Sequence, residues 1–157
     1  MSDKIGKYEL GDLISKGGFG ECYKAKDNNN NLYAIKKILI ANKEEEKSII
    51  NEINILKAMK SKYSVELIED FKKDKYYYIV MELCDGDLND LLENKNENLD
   101  IIIIINIINQ LNEVLKLMHS KKIEHRDLKP ENILIKYNYD YLFNYIIVGD
   151  MGKILNK

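Results

Sequence analysis

The sequence is poor in residues that define several classes of small protein. It has no tryptophan, one proline and two cysteines, and Arg126 is the only arginine among 24 basic residues. The cysteines, Cys22 and Cys84, form no spaced framework, so the sequence indicates neither a disulfide scaffold nor a zinc site. The formal net charge of -2 excludes nucleic-acid binding through bulk positive charge, and we expect no nucleic-acid partner.

Long hydrophobic runs are also lacking. The most apolar stretch, Ile101 to Ile108, is interrupted by Asn106 and is far shorter than the roughly 20 residues of a membrane-spanning helix. The N-terminal residues contain no apolar signal core. We therefore expect no membrane partner and a cytoplasmic protein, with a nuclear location left open.

The composition is that of a folded globular protein. The 157 residues are 45% hydrophobic and 32% charged, which excludes wholesale disorder and allows one domain with a real core. The only arginine, Arg126, and the only proline, Pro130, lie four positions apart. In a chain that is otherwise rich in lysine, asparagine and isoleucine, this segment is the first place to look for chemistry.

The first half of the chain has the pattern of an antiparallel sheet with one helix. Short apolar segments separated by glycine and asparagine clusters run from Tyr8 to Ile40. Ala41 to Lys60 instead places isoleucine and leucine three and four positions apart behind the acidic stretch Glu44 to Glu46, which predicts an amphipathic helix. Two more strands are predicted at Val65 to Phe71 and Tyr76 to Leu83. The total is five strands and one helix.

The second half is predicted to be mainly helical after a turn at Cys84 to Asp87. A short helix follows from Leu88, and then a long helix with an apolar stripe formed by Ile104, Ile107, Ile108, Leu111, Leu115 and Met118. Ile101 to Ile105 is β-branched and intrinsically poor for a helix, so burial against neighbours is expected to override that preference. If exposed, it would be an aggregation-prone window.

The segment from Ser15 to Gly20, Ser-Lys-Gly-Gly-Phe-Gly, is close to the pattern G-x-G-x-x-G, with serine in place of the first glycine. Glycines at these positions let backbone amides approach a phosphate chain, although an ordinary turn between two strands has a similar sequence. A strand rather than a helix is predicted after the glycines, which excludes a dinucleotide fold and leaves a phosphate-covering β-hairpin.

The next predicted strand carries Lys36, and the following helix carries Glu52 on its apolar side. Most strand lysines are simply solvated, so Lys36 alone is weak support for a site. A glutamate that faces inward requires a cation, however, and Lys36 is suitably placed to supply it.

The most specific motif is His125-Arg126-Asp127-Leu128-Lys129-Pro130-Glu131-Asn132-Ile133-Leu134. It resembles the catalytic loop of eukaryotic protein kinases, and its Lys-Pro-Glu-Asn segment resembles the serine/threonine branch of that family. The weaker features then follow in family order, ending with Gly149-Asp150-Met151-Gly152 at the place of the family's Asp-Phe-Gly. The resemblance implies an α+β protein-kinase-like fold: a five-stranded antiparallel N-lobe with one helix, residues 8–84, and the first helices and catalytic loop of a mainly helical C-lobe, residues 85–157.

The resemblance also implies ATP and Mg²⁺ as cofactors and a protein Ser/Thr hydroxyl as the substrate. Asp127 would accept the hydroxyl proton, Lys129 would steady the γ-phosphate, and Lys36, held by Glu52, would neutralise the α- and β-phosphates. Magnesium would be held by Asn132 and Asp150. The residues implied to bind the nucleotide are Ile14, Ser15, Gly17, Gly18, Gly20, Cys22, Ala34, Lys36, Glu82, Cys84 and Leu134.

The sequence departs from the family pattern in three ways. Ser15 replaces the first loop glycine, which is tolerable if the position needs only a negative φ, and Met151 replaces the family phenylalanine while leaving Asp150 intact. The chain ends at Lys157, before an activation segment or an Ala-Pro-Glu region. From this we expect a C-terminally truncated kinase domain, residues 8–157, that by itself binds Mg-ATP weakly and transfers phosphate poorly.

Two other functions compete with a protein kinase. A non-catalytic, pseudokinase-like nucleotide-binding or regulatory fragment is favoured by the early end of the chain and disfavoured by the presence of every catalytic residue. A small-molecule phosphotransferase of the same broad fold is disfavoured by the Lys129 to Asn132 segment.

Overall fold

The computed structural model describes residues 3–18, 20–93, 100–125, 127–137, 145–148 and 155–156, the last two ranges by their backbone alone. The chain divides into two compact units, one formed by Met1–Lys57 and Glu66–Leu83 and the other by Ala58–Val65 and Cys84–Lys157. The division after Leu83 lies one residue before the boundary expected from the sequence.

The first unit is built on one antiparallel sheet. Its strands are β1 (Lys4–Ile5), β2 (Tyr8–Gly17), β3 (Gly20–Lys26), β4 (Leu32–Leu39), β5 (Leu67–Lys73) and β6 (Tyr76–Glu82). They are hydrogen-bonded in the order β1-β2-β3-β4-β6-β5. The sheet therefore has six strands rather than five, because the two-residue β1 pairs with the start of β2 and is too short to leave a sequence pattern.

The polar turn predicted between β3 and β4 is held by the Asp27 side chain. Its Oδ1 accepts hydrogen bonds from the backbone N–H groups of Asn29, at 2.8 Å, and Asn31, at 2.9 Å. Asn30 adopts a left-handed conformation with φ of 64°, which asparagine tolerates better than most residues. These hydrogen bonds and the conformation of Asn30 explain why the polar segment forms a turn between β3 and β4.

A hydrophobic core lies on one face of this sheet, and side chains close the sheet around it. The buried members are Ile5, Tyr8, Leu10, Ala25, Ile35, Tyr78 and Val80. Although β2 and β5 are four strands apart in the sheet order, the Tyr8 hydroxyl donates to the Glu69 carboxylate, and Lys7 lies 2.8 Å from the same carboxylate. The sheet is thus strongly curled, so that strands from its two ends meet.

The helix α1 (Lys43–Ala58) of the first unit begins with a side-chain cap. Asn42 Oδ1 accepts from the Glu45 N–H at 2.8 Å, and the Glu45 carboxylate accepts from the Ala41 N–H at 3.1 Å. Three glutamates in the first turn suit the positive end of the helix dipole. The helix buries Ile49, Glu52, Ile53, Ile55 and Leu56.

The described part of the second unit contains two α-helices and short strands. In chain order they are β7 (Gly86–Asp87), α2 (Leu88–Glu93), α3 (Ile101–Ser120), β8 (Ile123–Glu124), a 3-10 turn (Pro130–Asn132), β9 (Ile133–Lys136), β10 (Tyr145–Val148) and β11 (Leu155–Asn156). The strands form one sheet in the order β10-β9-β7 and a pair β11-β8. Gly86–Asp87, predicted as part of a turn, is thus a strand, because it pairs with the distant β9.

Helix α3 buries only one residue of the stripe that the sequence predicts, Met118. Its buried residues are Gln110, Val114 and Met118, and of the predicted stripe Ile104, Ile108 and Leu115 are exposed. The expected burial of Ile101 to Ile105 is also wrong, since Ile101 is 64% exposed and Ile105 is 52% exposed. When a helix is apolar on most sides, its sequence pattern does not show which side is buried. The elements that pack against the helix determine that side instead.

Among the described residues, α3 is also the one helix long and apolar enough to cross a membrane by length and composition alone. The apolar stretch Ile101 to Ile108 is only the first part of this helix, which has 20 residues. The absence of a membrane partner therefore stays a prediction.

Candidate active site

The first unit contains a largely buried ion pair between β4 and α1. Lys36 Nζ lies 2.8 Å from Glu52 Oε1, and the two side chains are only 13% and 9% exposed. A buried ion pair offsets the cost of desolvating both charges only when its geometry is good. Movement of either group away from the other would lose that compensation, so the pair holds both groups in position. The structure thus brings together the lysine and the glutamate that the sequence singled out.

A row of side chains crosses the sheet beside this ion pair. Cys22 on β3 lies directly opposite Lys36 on β4, and Ser15 on β2 lies opposite Cys22. Directly opposed residues of antiparallel strands project to the same face. Ser15 is not among the residues with positive φ, so serine replaces the first glycine without backbone strain.

The glycine hairpin between β2 and β3 depends on one glycine for its shape. Gly20 has φ of +119°, and a Cβ atom there would clash with the carbonyl oxygen of Lys37. A Cβ atom added at Gly17 or Gly18 would have no neighbour within 4 Å, and neither glycine has a positive φ. Gly20 is therefore required by the close approach of β4, whereas Gly17 and Gly18 leave open backbone at the tip of the hairpin.

The remaining nucleotide-binding candidates of the first unit lie on three strands. Ile14 is exposed on β2, Ala34 is buried on β4, and Glu82 is the last residue of β6. The Glu82 N–H donates to the carbonyl oxygen of Glu66 at 3.0 Å, so the end of β6 is held by the segment before β5.

The second unit holds the polar loop between β8 and β9. The Asn132 Nδ2 group donates to the Asp127 carbonyl oxygen at 2.7 Å and lies 3.3 Å from the Asp127 carboxylate. Lys129 Nζ lies 3.9 Å from the same carboxylate. The buried His125 accepts a weak hydrogen bond, 3.4 Å long, from the Asp127 N–H through Nδ1. A carboxylate, an ammonium group and an amide are thus gathered in one loop.

Local structure explains why this loop has a fixed shape. Pro130 occupies the first turn of the 3-10 segment, where its missing N–H is not needed, and the Asn132 N–H donates to the Lys129 carbonyl at 2.9 Å. Asp85, which sequence reasoning did not single out, holds the strand that follows: its N–H donates to the Ile135 carbonyl and its Oδ2 accepts from the Tyr137 N–H, both at 2.8 Å.

The other predicted residues of the second unit are Cys84, which precedes β7, and Leu134, which lies on β9 opposite Asp87. Asp150 and Met151 lie outside the described residues. Among the described residues, no three histidine, cysteine, aspartate or glutamate side chains form a metal-binding group. The metal prediction therefore depends on Asn132 and Asp150.

Comparison with known proteins gives a family match. Residues 8–153 match the model of the protein kinase domain. The chain is 36% identical over 155 residues to cyclin-dependent kinase-like 1 of Caenorhabditis elegans, a match that covers 96% of this chain and 42% of that protein. It is 40% identical over 124 residues to the probable serine/threonine-protein kinase zyg-1 of the same organism, covering 78% of this chain and 17% of that protein.

A third relative is the cell cycle serine/threonine-protein kinase CDC5/MSD2 of Saccharomyces cerevisiae, 32% identical over 149 residues, which cover 92% of this chain and 20% of that protein. The chain spans less than half the length of each of these relatives. The family match includes the glycine hairpin, Lys36, Glu52 and the Asp127 loop. The chain therefore belongs to the protein kinase family, with the α+β kinase fold that this membership carries.

Proposed function

We propose that the protein is a serine/threonine protein kinase that transfers the γ-phosphate of ATP to a Ser or Thr hydroxyl of a protein. The observation that carries this proposal is the loop in which Asp127, Lys129 and Asn132 lie together. Two of the relatives carry serine/threonine-protein kinase in their names, which supports Ser or Thr as the acceptor residue. The alternative of a regulatory fragment has no specific support among the described residues.

Asp127 is suited to the proton transfer. Its backbone is held by His125 and Asn132, so its carboxylate is oriented before a substrate arrives. A positioned carboxylate that accepts the hydroxyl proton contributes to the rate as a general base. Lys129, on the same loop, would steady the transferred phosphoryl group through its positive charge.

Lys36 is suited to nucleotide phosphates. Its ammonium group is held by Glu52 and is largely shielded from solvent, where an interaction with an anionic phosphate is stronger than in water. The open backbone of Gly17 and Gly18 would cover the phosphate chain. The other residues proposed to bind the nucleotide are, in the first unit, Ile14, Ser15, Gly20, Cys22, Ala34 and Glu82 and, in the second unit, Cys84 and Leu134.

Magnesium fits the donor groups that the chain offers. Mg²⁺ prefers oxygen ligands and is usually bound by one or two protein groups together with substrate phosphates. Asn132 directs its Nδ2 group towards Asp127, so its amide oxygen would be the ligand, with Asp150 as the second. When bound, the ion would offset negative charge on the phosphates.

The protein is proposed to act inside the cell, in the cytoplasm. Helix α3 meets the length criterion for a membrane span, but it carries Gln110, Val114 and Met118 as buried residues on one side and lies within the segment that matches the kinase domain. Both facts favour a helix of a folded domain. No nucleic-acid partner is proposed.

The test is phosphate transfer from γ-labelled ATP to a mixed protein acceptor such as casein, followed by phosphoamino-acid separation. The proposal predicts label on phosphoserine or phosphothreonine, dependent on Mg²⁺. The double variant Lys36→Met/Glu52→Leu, which removes both charges of the buried pair, provides the matched negative control. Label on phosphotyrosine alone would overturn the substrate class, and a folded chain that neither binds ATP nor transfers phosphate would overturn the proposal.

A further inference from the structure

Two ion pairs tie the ends of helix α1 to strand β5. Glu46 Oε1 lies 2.7 Å from Lys72 Nζ, and Lys57 Nζ lies 2.8 Å from Asp70 Oδ1. Asp70 and Lys72 are two positions apart on β5, so they project to the same face of the strand. We refer to these two ion pairs as the β5 clasp.

The spacing of the residues along α1 places the clasp and Glu52 on different sides of the helix. At about 100° per residue, Glu46 and Lys57 lie within ~20° of each other around the helix, whereas Glu52 lies more than ~100° away from both. One side of α1 therefore binds β5 near both ends, and a different side presents Glu52 to Lys36 on β4. A rotation of the helix that broke the clasp would also turn Glu52 away from Lys36.

The Lys57–Asp70 pair is more constrained than an ordinary surface ion pair. The Asp70 side chain is 17% exposed, and its second oxygen accepts a hydrogen bond from the Tyr77 hydroxyl at 3.1 Å. Its carboxylate is thus fixed from the sheet side by β6 while it binds the helix. The charges also suit the helix dipole, with the acidic Glu46 near the N-terminus and the basic Lys57 in the last turn.

We infer that Glu46, Lys57, Asp70 and Lys72 are positioning residues, which set the rotation of α1 so that Glu52 holds Lys36 towards the nucleotide phosphates. This inference rests on the proposed function for its kinetic consequence. The competing view is that both pairs are surface ion pairs without effect, which is common for isolated pairs.

The test compares Glu46→Lys and Asp70→Asn with the charge-swapped double variant Glu46→Lys/Lys72→Glu. The inference predicts that each single variant raises KM for ATP and lowers kcat, together by about three- to tenfold in kcat/KM, the range that partly exposed charge pairs support. The double variant, which restores an ion pair of reversed charge between positions 46 and 72, should recover most of the kcat/KM lost in Glu46→Lys. Its recovery separates positioning from mere disruption of the fold, as does an unchanged unfolding midpoint.

The matched control is Lys26→Glu. It breaks a similarly exposed ion pair between β3 and β2, in which Lys26 Nζ lies 3.3 Å from Glu9 Oε2, and it does not touch α1. It should leave KM and kcat unchanged. The differences between clasp variants and wild type should also shrink near 1 M salt, where the Debye length is about 3 Å.

A readout without activity keeps this inference distinct from the proposed function. Amide hydrogen exchange of residues 43–58 should be faster in Glu46→Lys and Asp70→Asn than in wild type, and slow again in the double variant. If wild type transfers no phosphate but shows this exchange pattern, the proposed function fails and the clasp stands. If exchange and nucleotide affinity are the same in all variants, or if the double variant does not recover, the inference is wrong.

Discussion

Lys36 Nζ on β4 and Glu52 Oε1 on α1 lie 2.8 Å apart in surroundings that leave both side chains almost entirely buried. Removing one partner of such a pair leaves an unpaired buried charge, which typically costs about 3–5 kcal/mol, whereas replacing both with apolar groups is often neutral. This asymmetry separates the contribution of the pair to stability from its contribution to nucleotide binding.

We predict that Lys36→Met lowers the free energy of unfolding by several kcal/mol, at the low end of that range because the pair retains slight solvent contact. The double variant Lys36→Met/Glu52→Leu should recover most of that stability. Neither variant should bind ATP. Denaturant unfolding and an ATP titration on the same samples check both points, and ATP binding by the folded double variant would refute the role of Lys36.

The three glycines of the hairpin should differ in how they tolerate alanine. Gly20→Ala places a Cβ atom against the Lys37 carbonyl at a φ that side chains rarely adopt, so we predict a loss of at least ~1–3 kcal/mol in the free energy of unfolding. Gly17→Ala meets no neighbour and should leave the unfolding free energy within about 0.5 kcal/mol of wild type, or raise it slightly. Equal destabilisation by both variants, measured by denaturant titration, would contradict the structure of the hairpin.

The contact that closes the sheet should make stability depend on pH. Lys7, and then the hydrogen bond from Tyr8, hold the pKa of Glu69 below its ordinary value. The resulting stabilisation is complete above the pKa of an unfolded glutamate and is lost as the pH falls through the lower folded value. We predict that Glu69→Gln is less stable than wild type at pH 7 and that the difference disappears at strongly acidic pH. A difference that is constant with pH would contradict the ion pair.

Tyr8 gives the same contact a second signature at alkaline pH. Burial, and then the hydrogen bond to Glu69, raise the pKa of Tyr8 to about 12. A raised pKa favours the neutral phenol of the folded state, so its contribution is present below pH ~10 and is lost as the pH rises towards 12. Tyr8→Phe should remove this part of the alkaline loss of stability. Spectrophotometric titration of the wild-type tyrosines should show one that ionises late.

The exposed isoleucines of α3 should promote self-association. Ile105 and Ile108 are 52% and 58% exposed, and such a β-branched apolar surface favours aggregation. We predict that Ile105→Glu with Ile108→Lys raises solubility, measured by light scattering, without loss of secondary structure. The matched control Val114→Glu, at a buried position of the same helix, should unfold the chain.

The sequence predicted the order of the elements because the signals for it are local. The Asp27 turn, the acidic start of α1 and the glycine hairpin each depend on residues close together in the chain. It missed β1 and β7 because each strand has two residues whose pairing partners, on β2 and β9, decide their structure. Most of the stripe predicted on α3 is not buried for the same reason, since the buried side depends on neighbours such as β8 and β10.

The candidate site was predictable to a different extent in the two units. The Lys36–Glu52 pair followed from a charge placed on an apolar helix side, and the His125 to Leu134 motif identified the loop around Asp127. The β5 clasp was not predictable from the sequence. Nothing in the sequence shows whether a charged side chain such as Glu46 or Asp70 pairs with a residue of a distant element or faces solvent.

The most direct test of the central proposal is phosphate transfer by Asp127→Asn compared with wild type, with Mg-ATP affinity measured on the same preparations. Loss of the carboxylate should lower the rate of phosphate transfer by about 100-fold or more, which is the contribution of a general base. The affinity for Mg-ATP should stay within about twofold of wild type, and the unfolding temperature should stay within a few degrees. Transfer by Asp127→Asn at the wild-type rate would contradict the account.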